Sequence, residues 1–276
     1  MGAAQPVHRE PGLVLEVNEG IATFTLNRPA VRNAVTAAMF VQLEQQLIEL
    51  EADRNARVIV LTGAGESFCS GADLTPPDRD ERRRLQAACF PDDRGGDILE
   101  RANRCMLRLR TLPKPVIASL NGDALGIGLS LALAADLRLA RQGARLGAVF
   151  ARVGLGPDGG VSHLLTQLVG SARALEMLML AELVDTREAH KLGLLNRVVE
   201  QDQLAGATSK LAARLAQGPT LAYGAAKASV YGGAALHFEA ALDLESRHQR
   251  VVGRSQDAAE GVRAFREKRQ PLFRGT

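Results

Sequence analysis

The chain has 276 residues, is 46% hydrophobic and 24% charged, and carries a net charge of +3, the balance of an ordinary globular protein with a sizeable core. Its basic residues are scattered, aromatics make up 4% and Trp is absent, which excludes a base-stacking platform, so no nucleic-acid partner is expected. Three cysteines without CxxC spacing and five histidines without an HExxH pairing argue against a metal site and for reduced thiols in a cytoplasmic protein. No apolar run reaches the ~18 residues of a membrane span, so no membrane partner is expected either.

In chain order, Leu13 to Val17 and Ile21 to Leu26 alternate in the strand manner about Asn18-Glu19-Gly20, a hairpin signal. Asn27-Arg28-Pro29 ends the second strand, and Thr36 is placed to cap a helix from Ala37 to Glu51, with Phe40, Leu43, Leu47 and Leu50 on one face. Val58 to Thr62 reads as a buried strand that Gly63-Ala64-Gly65 turns into the loop ESFCSGADL. Residues 75–96, rich in Pro, Asp and Arg with no period, read as a mobile loop or frayed helix over a binding cleft. A helix over Asp97 to Arg110 follows.

The stretch 114–136 organises the rest. Pro113 and Pro115 hold the backbone extended, Val116 to Ala118 form a short buried strand, and Asn121-Gly122 turns the chain. Gly126-Ile127-Gly128 permits a close backbone approach, and an apolar helix is predicted from Leu129. A strand, a glycine turn and a helix start together point unpaired N–H groups and the positive dipole end outward, a site for a phosphate or an oxyanion. Leu137 to Ala140 reads as another strand, and a loop from 146 ends in Pro157-Asp158-Gly159-Gly160 before a helix at Val161. From Ala172 the chain is mainly helical, with a strand at Asn196 to Val199. The pattern predicts a βα-rich body over 1–200 and a helical region over 201–276.

Most motifs have two readings. Gly63-Ala64-Gly65 begins like a dinucleotide fingerprint, but Phe68 replaces the third glycine and no acid follows at the required distance. Neither a P-loop nor a GxSxG elbow is present, and for each glycine turn taken alone tight packing is favoured over an anion site. Asp158 reads as a turn former or N-cap, with a catalytic base as the alternative. Asp73 and Asp136 read as caps or buried partners, His163 as a packed side chain, and Arg82-Arg83-Arg84 as a solvated face that a phosphate could use.

Taken together, TLNRPAVRNAV (25–35), IVLTGAGESFCSGADL (59–74), KPVIASLNGDALGIGLSLALAADLRLA (114–140), GLGPDGGVSHLLTQLVG (154–170), EAHKLGLLNRVV (188–199) and EGVRAFREKRQPLF (260–273) resemble the crotonase (enoyl-CoA hydratase/isomerase) family from Val14 to Phe273. The resemblance implies an α/β spiral of repeated ββα units, a C-terminal helical region that drives assembly into a homotrimer or hexamer, and an acyl-CoA thioester ligand with no further cofactor. It implies oxyanion donors at the N–H groups of Ala72 and Ile127, beside Gly126. It implies CoA contacts around Arg28, Arg32 and the Ser70-Gly71-Ala72-Asp73-Leu74 backbone, with Phe265 and Lys268 completing a neighbouring subunit's site. The two glutamates of the family's hydratases correspond here to Ser130 and Phe150, while Asp158 stands where its double-bond isomerases carry a single carboxylate. The frame AVFARVGLGPDGG and the tail 242–265 most resemble the branch that rearranges a ring-epoxide thioester. This favours an isomerase with Asp158 as base. The alternatives are an enoyl-CoA hydratase in which Asp158 or Ser130 positions water, and a non-catalytic acyl-CoA binding protein in which Asp158 is only a cap. A nicotinamide dehydrogenase is the most distant reading.

Overall fold

The structure is a computed structural model that describes residues 8–10, 12–74 and 98–276. The expectations for residues 75–96, Arg82-Arg83-Arg84 and Cys89 among them, lie outside the described residues.

Strand β1 (His8–Glu10) pairs with β2 (Leu13–Asn18), which forms the expected hairpin with β3 (Ile21–Leu26). Glu19 (φ 48°) and Gly20 (φ 82°) supply the two positive φ angles that a tight two-residue connection between twisted strands requires. Thr36 accepts a hydrogen bond from the Met39 N–H and opens α1 (Ala37–Ala52), whose Phe40, Leu43, Leu47 and Leu50 are buried.

From there a unit repeats: a long strand, a short strand on a second layer, then a helix. The long strands β4 (Val58–Gly63), β5 (Val116–Leu120) and β7 (Leu137–Arg141) extend the main sheet in parallel from β3, and β10 (Arg197–Val199) completes its order β1-β2-β3-β4-β5-β7-β10. The short strands β6 (Ala124–Leu125) and β8 (Arg145–Gly147) pair in parallel on the second layer, edged by β9 (Val184–Asp185). Cys69 joins that layer through a parallel bridge to Ala124. Helices α2 (Ile98–Thr111), α3 (Ile127–Ala134) and α4 (Val161–Leu180, broken at Gly170) close the successive units, and α1, α2 and α3 share one apolar core. Each strand–strand–helix unit thus advances the chain by one step of a spiral.

The helix expected from Leu129 starts earlier, at Ile127. Gly126 (φ 54°, ψ −127°) takes a conformation closed to other residues and converts strand to helix without an intervening loop.

After the short α5 (Thr186–Lys191), helices α6 (Leu204–Ala216), α7 (Thr220–Gly233), α8 (Phe238–Val252) and α9 (Gln256–Glu267) follow. Leu204, Ala212 and Ala216 of α6 share a buried cluster with Val58, Val60, Ile117 and Leu139 on the main sheet. The boundary expected at residue 200 therefore falls ahead of a helix that is part of the body. Helix α7 is fastened to the body by charge. Lys227 Nζ lies 2.9 Å from Asp136 Oδ2, the Tyr231 hydroxyl donates to Asp136 Oδ1 at 2.7 Å, and the Arg110 guanidinium stacks on the Tyr231 ring. Asp136 is thus a buried structural partner. Among the described residues, no helix is long and apolar enough to cross a membrane.

Candidate active site

Two backbone segments meet where the second layer begins. The Val35 N–H donates to Gly71 O and the Asp73 N–H donates to Val35 O. The Val35–Ala72 bridge is therefore made by the neighbours of Ala72, whose own N–H has no hydrogen-bond partner among the described residues. On the other side, the Cys69 N–H donates to Asp123 O and the Leu125 N–H to Cys69 O, and the two segments run on in parallel to bring Gly71 beside Gly126. The approach is close: a Cβ on Gly126 would lie 3.7 Å from the Gly71 Cα. Ile127 is the first residue of α3, so its N–H belongs to the unpaired set at the helix start. Two backbone donors at the positive end of a helix dipole suit an oxygen on which negative charge develops.

The packing of α3 against the loop has no slack. A Cβ on Gly128 would lie 2.6 Å from the Cys69 Cβ and 2.7 Å from its carbonyl oxygen, which explains a glycine inside a helix. Burial pushes the Cys69 thiol up to about 12, so it puts no negative charge beside the two donors. At Gly63 a Cβ would meet Ser67 O at 2.2 Å, so tight packing accounts for the first glycine of Gly63-Ala64-Gly65.

Two asparagines brace the same turn. Buried Asn33 accepts from the Arg28 N–H at 2.9 Å and donates to Ala64 O and Ser67 O at 2.9 and 2.7 Å. Asn121 accepts from the Gly63 N–H at 3.0 Å and donates to Gly65 O at 2.8 Å and Ser67 O at 3.2 Å. In the sequence Asn121 reads as a turn former and Asn33 carries no assigned role. The available signal was the tolerance of asparagine for the left-handed region, which Asn33 adopts at φ 58°.

The remaining predicted residues fall in several places. Arg28 spends its guanidinium internally, donating to Ala34 O at 2.7 Å and pairing with Asp73 Oδ2 at 2.7 Å, which gives Asp73 the expected role of a structural partner. Arg32 is exposed at φ 52°, its carbonyl accepts from the Ser70 N–H, and Leu74 is exposed at the edge of the loop. Phe150, in the 3-10 turn Val149–Val153, is buried with its ring 4.0 Å from where a Gly126 Cβ would stand, an apolar wall beside the turn. Phe265 and Lys268, at the end of α9, are exposed and far along the chain from these groups. His163 is exposed on α4, not packed: its helix buries Val161, Leu164 and Leu165, and His163 falls on the opposite, solvent-facing side.

Asp158 is brought to α3 by a single side chain. The hydroxyl of fully buried Ser130 donates to the Asp158 carbonyl oxygen at 3.0 Å, and Ser130 lies one helical turn, about 5 Å of rise, beyond Ile127. The cap reading of Asp158 fails. Helix α4 begins after Gly160 with no side-chain cap bond, and the Asp158 carboxylate takes none of its N–H groups. Its Oδ1 is buried with no hydrogen-bond partner among the described residues, and burial raises the carboxyl above its ordinary range. Among the described residues, no group of three potential His, Cys, Asp or Glu ligands is assembled.

The family model described as enoyl-CoA hydratase/isomerase matches residues 16–276. The 1,2-epoxyphenylacetyl-CoA isomerase of Escherichia coli K12 is 37% identical, over 95% of this chain and 98% of its own. A protein of Rhodobacter capsulatus named "probable enoyl-CoA hydratase" is 39% identical, over 94% of this chain and 96% of its own. The crystal structure of an enoyl-CoA hydratase from Bacillus anthracis superposes with a TM-score of 0.85 at 30% identity, covering 96% of this chain and all of the other. Matches of this extent, on a spiral of ββα units that sets two glycine turns face to face, make the chain a member of the enoyl-CoA hydratase/isomerase family.

Proposed function

We propose that the chain is an acyl-CoA isomerase that moves a carbon–carbon double bond relative to the thioester, with Asp158 as its one base. The N–H groups of Ala72 and Ile127 receive the thioester oxygen. Asp158 takes a proton from C2, and the electron pair moves onto the thioester oxygen as a dienolate. When the carbonyl reforms, the double bond shifts into conjugation and the protonated Asp158 returns its proton to C4. One carboxylate suffices because it serves as base and then as acid. CoA belongs to the substrate, and no metal or redox group enters these steps. The carrying observation is the Asp158 carboxylate itself: it is desolvated, has no hydrogen-bond partner on Oδ1, and does not cap its own helix. Ser130 and Phe150 supply no second carboxylate for adding water.

Assembly into a homotrimer or hexamer is part of the same proposal. Phe238, Val251 and Phe265 are 79%, 72% and 84% exposed on the C-terminal helices, apolar side chains that a second copy of the chain would cover. Phe265 and Lys268 would then reach a neighbour's CoA.

The test compares wild type with Asp158→Asn on a 3-enoyl-CoA and on a 2-enoyl-CoA, following the double-bond shift and water addition separately. Isomerisation should fall by about 10²-fold or more in the variant, the usual contribution of a positioned base, with little hydration by either protein. Brisk hydration that survives the substitution would replace this reading with a hydratase. Tight binding of both thioesters without turnover would make the chain a binding protein.

A further inference from the structure

Among the described residues, Ser130 is the only side chain whose hydrogen bond fastens the turn bearing Asp158 to α3, and its surroundings leave it no other use. It is fully buried, its N–H is held by Gly126 O at 3.3 Å, and its hydroxyl proton is committed to the Asp158 carbonyl at 3.0 Å. A hydroxyl has one proton to give, so Ser130 does not donate to a substrate or an attacking water while that bond stands.

The contact also continues on its other side. Gly159 holds φ at +59° and presents its Cα directly to Ser130: a Cβ there would lie 2.9 Å from the Ser130 Cβ and 3.2 Å from its Oγ, with Met106 Cε at 3.4 Å. Neither position has room to grow.

We infer that Ser130 is a positioning residue, which with Gly159 sets the Asp158 carboxyl at a fixed height above the Ile127 N–H. The inference rests on Asp158 being the base. Ser130 and Ile127 share one short, wholly buried helix, so the distance between base and oxyanion donor is set by helix geometry instead of by a loop. A side chain longer than serine at residue 130 displaces the 158–159 turn, so this backbone accommodates one carboxylate at 158 only with a small residue at 130.

The experiment uses the full-length protein with 3-enoyl-CoA as substrate and saturated butanoyl-CoA as a binding probe. Ser130→Ala, Ser130→Cys, Gly159→Ala and Asp158→Asn are measured side by side. Ser130→Ala should lower kcat for isomerisation, and the rate of C2 proton exchange into D2O, by about 10-fold, within what a small misplacement of a catalytic group costs. Its KM, its butanoyl-CoA affinity and its melting temperature should stay near wild type. Ser130→Cys, which keeps a weak donor of similar size, should recover part of the exchange rate. Gly159→Ala should lose exchange while still binding butanoyl-CoA.

Wild-type kcat in Ser130→Ala, or a loss of kcat and thioester affinity together, would overturn the inference. An unfolded Ser130→Ala leaves the decision to the exchange rate of Ser130→Cys, which a positioning role requires to be below wild type. If Asp158→Asn itself exchanges at the wild-type rate, the base assignment falls and this inference with it. If Asp158→Asn is inactive while Ser130→Ala exchanges at the wild-type rate, only the role of Ser130 falls.

Discussion

Two of the glycine turns of the site, the one leading to Ala72 and the one bearing Asp158, are built on opposite principles. At the turn leading to Ala72, every nearby polar group with a brace is satisfied: Asn33 and Asn121 between them hold Arg28 N–H, Gly63 N–H and the carbonyls of Ala64, Gly65 and Ser67. At the turn bearing Asp158, the backbone carbonyl is held by Ser130 and by the Val161 N–H, but the carboxylate Oδ1 is left bare. The difference follows from what each group must do. A backbone donor stabilises charge only if it does not have to reorganise when that charge appears, so its surroundings must be rigid and complete. A carboxylate is basic only while nothing donates to it, since each such bond favours the ionised form and lowers its pKa. Order around the donors and deprivation around the base are both requirements of the proposed reaction.

The comparison breaks most severely at Gly128. Alanine is worth about 1 kcal/mol more than glycine in a helix interior, so on propensity alone Gly128→Ala would stabilise α3. The Cβ would lie 2.6 Å from the Cys69 Cβ and 2.7 Å from its carbonyl, so helix and loop must separate. We expect a fall in kcat/KM of isomerisation on the order of 100-fold, the usual cost of one lost oxyanion donor, and a lower melting temperature. A variant with wild-type kinetics would mean that the two N–H groups do not act as a pair.

Asn121→Ala is the next smaller perturbation. It removes the acceptor for Gly63 N–H and the donors to Gly65 O and Ser67 O. With one buried backbone group left unpaired costing about 1–3 kcal/mol and Asn33 still holding Ser67, a net loss of about 2 kcal/mol in a denaturant titration is expected. A rate loss of about 10-fold, the equivalent of ~1.4 kcal/mol in the barrier, should accompany it. A stability loss with no rate loss would show that the brace serves the fold and not the donors.

The sequence made the framework legible where patterns were long. The β2–β3 hairpin, α1 from its Thr36 cap, and the buried strands β4, β5 and β7 all follow from periodicity and turn residues. The second layer did not show, because β6 has two residues and β8 three, too few for any period to register. The early start of α3 was hidden because Gly126 and Gly128 both look like breakers. Only the φ of one and the contact of the other with Cys69 separate their roles. Asn33 and Asn121 escaped because the groups of the turn that they brace lie 31 to 34 and 54 to 58 residues away in the chain. Asp158 was ambiguous for a related reason: a cap and a base share one residue type and one position before a helix, and only the direction of the carboxylate distinguishes them.

That direction has a thermodynamic signature, smaller than the kinetic ones. Burial raises the Asp158 carboxyl in the folded chain above its unfolded value, so the native state holds this proton more tightly than the unfolded state does. Its contribution to stability is therefore complete below the unfolded pKa, about 3.9, and is lost as pH rises through the elevated folded value. Asp158→Asn is uncharged throughout and escapes that loss. The variant should melt at or slightly above wild type at pH 7, with the difference shrinking as pH falls through the elevated folded value toward about 4. A capping carboxylate predicts the reverse, a loss of about 1 kcal/mol at neutral pH when the cap is removed. Melting temperatures of the two proteins across this pH range decide between them without any substrate. A destabilised Asp158→Asn at pH 7 would mean that the carboxylate has a partner in the native state, and the physical ground for its basicity would be gone.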